Sequence, residues 1–425
     1  MTDLDLMLRF MLQILVVLSA CRLVGLFGQK YLGQAQVTME MLTGVILGPS
    51  VFGAILPQVQ QFLFPQFVVD GDPTSGKSPS MSVLYVIAQV GLVLYIFLIG
   101  LEFDSSLIRS RVKALKVVSA TSILLPILLG ATVFYAFLNN RSDLFGLNLG
   151  APVLPLYVGA TLCITAFPML ACIVQESGLA GTSIGTLTIG AGAVSDVAAW
   201  ILLSVVLALS KGNPLIAVWA IGGGVVFSFV VLTAGRKLLA RLDTRDSGVV
   251  STTTFGLVLL ALFAGAWITD GIGIYAVFGA FIIGSAMPRG RMSQTLKERI
   301  EPLTTTLFLP FFFVFSGLST KFGTINSLEH WLIFGLMLVV AVVSKFAGCF
   351  AAARLCGESK QDSMTIGFLM NTRGLMELIL LNIGLQQNII SPTFFSIMVL
   401  VAIVTTMMTA PLVRLVYKDR KGEAA

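Results

Sequence analysis

Five charged residues interrupt stretches otherwise apolar enough to lie in lipid: Arg22, Asp196, Lys345, Arg373 and Glu377. A charge at the centre of a bilayer costs about 2.5–3.5 kcal/mol on insertion scales, so each needs a partner, a watery cavity or a function. Asp196 is the hardest to explain away. It stands alone in GAGAVSDVAAW (Gly190–Trp200), too deep for its short side chain to reach either interface. If water reaches it, the same two oxygens can hold either a proton or a small hard cation, and such exclusion is the simplest way to couple two ions. The structural alternative is an acid that stays protonated and hydrogen-bonds a neighbouring helix. Ser195, Thr165 and exposed carbonyls around Cys163 are candidate additional oxygen ligands. Lys345, central in VVSKFAGC, would balance charge in the same cavity. Arg373 and Glu377 lie four residues apart on one helix face, the spacing of an internal ion pair. Arg22 is close enough to a helix end to extend to the interface. Glu102 and Asp104 fall at the edge of an apolar run, where they form either an ion funnel or a solvated loop.

The elements that must position these groups follow from composition. The chain has 425 residues, 56% hydrophobic and 11% charged, too little charge to cover a soluble surface. Apolar windows span 8–27, 37–56, 82–101, 114–138, 152–175, 184–209, 214–234, 250–269, 272–288, 303–319, 330–354, 364–386 and 392–416. They predict an all-α, polytopic membrane protein with about thirteen transmembrane helices. The windows 272–288 and 303–319 are short and sit beside Gly271, Gly273, Pro288 and Pro310. LSAC (Leu18–Cys21) resembles a lipoprotein cleavage box, but Asp3 and Asp5 stand where a basic cluster belongs, so 8–27 reads as the first span.

With thirteen spans, 19 of the 27 Lys and Arg fall on one side of the membrane, five on the other and three within spans. Positive loops stay in the cytoplasm, which puts the N-terminus outside and the C-terminus inside. Topology and anionic lipid account for the basic loops without a nucleic-acid partner. No soluble regulatory domain fits between the windows, and no obligatory soluble partner is evident. The five cysteines form no CxxC pair. The single histidine, His330, sits at a loop edge, and no nucleophile, metal or nucleotide motif is present. These observations argue against an enzyme, a resident cofactor and a bound structural metal.

Two spans are poorly built as straight helices. The fifth carries Thr161, Cys163 and Thr165 ahead of Pro168, which removes a backbone donor. The twelfth carries Asn371, Thr372 and Gly374 at mid-depth. Interrupted helices are tolerated in a membrane only where protein or water satisfies the freed backbone groups. An offset of seven spans reverses direction across the bilayer, so two inverted repeats are expected, about 8–209 and 250–416, linked by the helix at about 214–234.

The sequence resembles the monovalent cation:proton antiporter-2 family, which includes Kef-type proteins, bacterial Na+/H+ antiporters and plant cation/H+ exchangers. The similarity lies in GVILGPS (Gly44–Ser50), FLIGLEFD (Phe97–Asp104), ITAFPMLACIVQE (Ile164–Glu176), SDVAAW (Ser195–Trp200) and NTRGLMELILLNIGL (Asn371–Leu385). It covers essentially the whole chain. The resemblance implies a thirteen-helix homodimer with an Na+/H+ antiporter-like fold, in which a core domain moves past a static dimerisation domain. It further implies crossed, unwound spans five and twelve, and Asp196 as the carboxylate shared by H+ and K+ or Na+. In electrogenic relatives a second aspartate precedes that residue and pairs with a lysine matching Lys345. Here the position is Ser195, which favours electroneutral exchange unless Lys345 itself releases a proton.

Two other functions compete with antiport. A K+ channel would show a TVGYG-like filter, which is missing. A transporter of an organic solute on the same architecture would gather more cationic or hydrogen-bonding groups than Lys345 and Arg373. The expected location is a bacterial inner membrane.

Overall fold

The computed structural model describes residues 3–32, 34, 36–65, 79–103, 111–146, 153–211, 213–242, 250–318 and 325–423. Among them the architecture is all-helical, with a single isolated bridge between Phe145 and Ile390. Long apolar segments become helices because lipid offers backbone groups no partner, and a helix satisfies them internally. The N-terminal helices are α1 (Asp3–Phe27), α2 (Gln36–Leu47) and α3 (Pro79–Glu102). Next come α4 (Val112–Val133), the half-helices α5 (Val153–Cys163) and α6 (Phe167–Glu176), α7 (Ser183–Lys211) and α8 (Leu215–Val230). They are followed by α9 (Thr252–Gly271), α10 (Ala276–Ala286), α11 (Arg291–Leu303) and α12 (Leu309–Leu318). The chain ends with α13 (Leu328–Val342), α14 (Gly348–Leu355), the half-helices α15 (Lys360–Met370) and α16 (Leu375–Gln386), and α17 (Pro392–Glu423).

Ten helical segments among the described residues are long and apolar enough to cross a membrane. The three remaining expected windows are where the structure differs. The window 272–288 contracts to the 11 residues of α10. The window 303–319 becomes α12, preceded by a π-type turn (Thr304–Phe308) and the amphipathic α11. The window 364–386 divides into α15 and α16. Gly273 and Pro288 flank α10 and Gly374 precedes α16, whereas α11, the π-type turn and α12 run on without a break.

The helices sort into two groups. In the first, α3 lies along α10 and α12, α2 along α12, and α9 along α10, with α1 on α2. In the second, α4 lies along α5, α7 and α14, while α17 covers α13 and α15. Contact between the groups is sparse and runs through α6 against α2 and α3, α12 against α16, and α2 against α17, with α8 bridging from α7 to α9. Glycines allow the closest packing within the first group. A Cβ at Gly44 would strike the backbone of Val314, and one at Gly100 would sit 2.6 Å from the Phe281 carbonyl and 3.0 Å from the Gly284 Cα. Exposed Leu23, Trp219 and Trp267 mark lipid-facing sides.

Candidate functional site

The two interrupted spans cross in the second group. Ile164, Thr165 and Ala166 separate α5 from α6, and Asn371, Thr372, Arg373 and Gly374 separate α15 from α16. Pro168 lies in the first turn of α6, where its missing N–H costs no helical bond. Gly374 packs where a Cβ would meet that of Ala166 at 3.2 Å. The two breaks pair directly: the Ala166 N–H donates to the Thr372 carbonyl (3.0 Å) and the Thr165 hydroxyl to the Met370 carbonyl (3.0 Å).

Both buried cations converge on the carboxyl end of α5. Lys345 donates from Nζ to the Cys163 carbonyl (2.5 Å) and to Thr165 Oγ1 (2.8 Å). Arg373 donates to the Thr161 (3.0 Å) and Leu162 (2.7 Å) carbonyls, and its Nη1 reaches Glu377 Oε2 at 3.2 Å. The final carbonyls of a helix are orphaned and carry the negative end of its dipole, so cations are stabilised there. All three charged side chains are fully buried. The expected Arg373–Glu377 pair is present, yet the guanidinium also reaches across to span five rather than serving its own span alone. Glu377 sits in the first turn of α16, where the dipole favours an acid. Lys345 lies on a π-type turn (Val343–Ala347), the kind of local widening that re-aims a side chain.

Asp196 stands apart from this knot. Gly192 packs on Leu170 and Phe167, so the next turn of α7 brings Asp196 level with the break between α5 and α6. One turn further, Trp200 stacks on Tyr275 of the first group (centroids 4.9 Å apart), which turns this face of α7 toward the seam between the groups. Asp196 is 6% exposed, and its Oδ1 has no hydrogen-bond partner among the described residues. Asn371 Oδ1, Thr372 Oγ1 and Glu377 Oε1 share that condition. Buried polar atoms are almost always paired, so an unpaired carboxyl oxygen in the middle of a span calls for a functional explanation.

Ser195 points to α4. Ser122 Oγ donates to the Ser119 carbonyl (2.9 Å), so in its 2.7 Å contact with Ser195 Oγ the Ser195 hydroxyl is the donor. Thus the structure brings together Cys163, Thr165, Lys345, Arg373 and Glu377, while Asp196 and Ser195 occupy the adjoining α7. Glu102 ion-pairs with Lys297 and accepts from Gln175 Nε2 (3.2 Å). Asp104 lies outside the described residues. Three contributors carried no signal in the sequence: Ser122, Tyr275 and Thr406, whose hydroxyl accepts from the Arg373 N–H (3.0 Å) and donates to the Arg373 carbonyl (2.6 Å). Hydroxyls are common in membrane helices, and nothing in their spacing distinguishes these.

No group of three His, Cys, Asp or Glu suited to a metal occurs among the described residues. A family model described as "Sodium/hydrogen exchanger, transmembrane" matches residues 14–415. The chain belongs to the sodium/hydrogen exchanger family. Members of this family are membrane antiporters rather than enzymes. The chain is 33% identical over 422 residues to the Na+/H+ antiporter NhaS4 of Synechocystis, covering 98% of each. It is 39% identical over 423 residues to cation/H+ antiporter 17 of Arabidopsis thaliana, covering 97% of this chain and 48% of that one. The chain therefore spans about half the length of this plant exchanger. In fold it is similar to the sodium proton antiporter MjNhaP1 of Methanocaldococcus jannaschii, with a TM-score of 0.65, 17% identity and 96% of each chain covered.

Proposed function

We propose that this exchanger chain carries K+ or Na+ against H+ by alternating access, with cation and proton competing for Asp196. The observation that carries the reading is the isolation of that carboxyl. Lys345 and Arg373 are engaged by the α5 carboxyl end, Thr165 and Glu377, which leaves Asp196 Oδ1 without a partner at the seam. An acid committed to structure would be hydrogen-bonded. The sparse contact between the helix groups supports motion of one past the other, and the matched breaks support inverted repeats of about 8–209 and 250–416. Thirteen crossings, an outside N-terminus, a homodimer and residence in a bacterial inner membrane complete the proposal.

Asn371 and Thr372, whose side-chain oxygens are buried without a hydrogen-bond partner, and Ser195 are neutral oxygens available to a hard cation. The Cys163 carbonyl and Thr165 hydroxyl, already bonded to Lys345, would serve only when that ammonium withdraws. One carboxyl exchanging one cation for one proton is electroneutral; the rival is that Lys345, buried against neutral acceptors, itself releases a second proton when the cation arrives, which would make exchange electrogenic. The test is reconstitution in liposomes with a pH-sensitive dye and added K+, Na+ or Li+. Wild type should dissipate the pH gradient, and Asp196→Asn should abolish this for every cation while the protein remains folded. Clamping the membrane potential should leave the rate unchanged; a rate that follows the potential would make Lys345 a proton carrier.

A further inference from the structure

A third membrane helix carries a helix breaker, and no role described so far uses it. Pro126 lies buried inside α4, which continues through it. Proline has no N–H, so it cannot close the helical bond to the carbonyl four residues back, and its ring crowds that carbonyl. The residue released in this way is Ser122. It is fully buried and shares one helix face with Pro126 and Gly130. Along that face α4 lies tightly on α5: a Cβ at Gly130 would sit 2.7 Å from the Gly159 Cα, and one at Gly159 would sit 2.8 Å from the Ile127 Cα. Because α5 runs back along α4, its carboxyl end at Cys163, one turn beyond Gly159, comes level with the Ser122–Pro126 turn. From α7, Ser195 meets Ser122 Oγ at 2.7 Å.

Three elements therefore meet at Ser122: α4 itself, the end of α5 whose Cys163 carbonyl holds Lys345, and α7 at the residue before Asp196. The hydroxyl chain has a fixed direction. Ser122 donates to the Ser119 carbonyl and Ser195 donates to Ser122, so Ser195 Oγ has only lone pairs left to offer. The Ser122 carbonyl, meanwhile, has lost its helical donor. A buried backbone carbonyl needs some partner, and interrupted backbone at membrane depth is kept where it lines a path or is satisfied by protein. We propose that Ser122 is a positioning and ligand residue for the transported alkali cation: its carbonyl, freed by Pro126, binds the ion directly, and its hydroxyl holds the Ser195 lone pairs toward it. The inference rests on the reading of Asp196 as the transport site. Carbonyl and hydroxyl oxygens are hard and neutral, so they replace water around the ion while Asp196 alone balances its charge.

The test is to give α4 back its missing donor. Pro126→Ala returns an N–H to the helix and recaptures the Ser122 carbonyl. In proteoliposomes of the full chain, its KM for 22Na+ and for 86Rb+ should rise about fivefold, with the maximal rate within twofold of wild type. Its Tm should be no lower, because a proline inside a helix is itself destabilising. Ser122→Ala, which releases the Ser195 proton, should raise KM similarly, whereas Ser122→Thr, which keeps the hydroxyl, should preserve the wild-type value. An unchanged KM in Pro126→Ala or in Ser122→Ala would overturn the assignment. So would a KM that rises only together with a fall in Tm and maximal rate, since that marks a packing role. Should Pro126→Ala fail to fold, the two Ser122 variants decide by the same criteria. Failure of the transport reading is separable, because it would appear as continued exchange by Asp196→Asn.

Discussion

Arg373 occupies the most constrained position in the protein. Its guanidinium satisfies two α5 carbonyls and Glu377 at once, while its own backbone is clasped at N–H and C=O by Thr406. Arg373→Ala would strand the Glu377 carboxyl and two helix-end carbonyls away from water. Breaking a buried pair from one side typically costs about 3–5 kcal/mol, so a large fall in Tm is expected in a detergent thermal-shift measurement. Arg373→Lys should recover little, because a point charge cannot replace the planar fork. The charged members of this knot were legible in the sequence, since charges in apolar spans are costly and conspicuous. Their partners were not: i,i+4 spacing revealed Glu377, but nothing in the chain order tied Arg373 to Thr161 and Leu162, some 210 residues away. Thr406 and Ser122 are ordinary hydroxyls until the fold sets them against a break or against Ser195.

At the scale of elements, the two breaks were readable because proline and paired small or polar residues cannot continue a helix in lipid. Their bounds shifted for a physical reason. Pro168 does not end α5; it begins α6, and the unwound residues precede it. The π-type turn under Lys345 left no trace in sequence, because a one-residue widening needs no special residue type. The close approach of α2 to α12 gives a second test. Gly44→Val should prevent that packing, since a Cβ there already meets Val314 backbone, and should lower Tm and the yield of folded protein. Gly222→Ala, with nothing within 4 Å of the added carbon, should leave both unchanged.

At the scale of the whole molecule, the two helix groups touch through α6, α16 and α17, so the half-helices that carry the breaks form part of the seam. The opposite end of the second group is held by a surface clasp. Asp143 is bound twice by Arg141 (2.9 and 3.0 Å) and meets His330 at 3.3 Å, and Arg141 also reaches Glu329 (2.8 Å). The Arg141 guanidinium holds the Asp143 carboxyl below its ordinary value. A depressed carboxyl contributes stability above its unfolded pKa of about 3.9 and loses it as pH falls through the lower folded value. The Asp143 carboxyl's own contribution to hydrogen-exchange protection in residues 139–146, after correction for intrinsic rates, should therefore be lost only below about pH 4. Arg141→Ala should move that loss toward higher pH. Membrane class and the two broken spans followed from composition and helix-breaking residues, whereas the division into groups depends on glycine-mediated contacts between helices distant in sequence, such as α2 with α12.

The central claim is that one carboxyl, Asp196, cannot hold a proton and an alkali cation together. The most direct measurement is the apparent cation KM of wild-type exchange as a function of pH, equal on both faces. Competition for one site predicts a KM that rises about tenfold for each unit of acidification once the proton dominates, with an unchanged maximal rate. A KM that stays constant while the maximal rate falls would place the proton on another group and contradict the account.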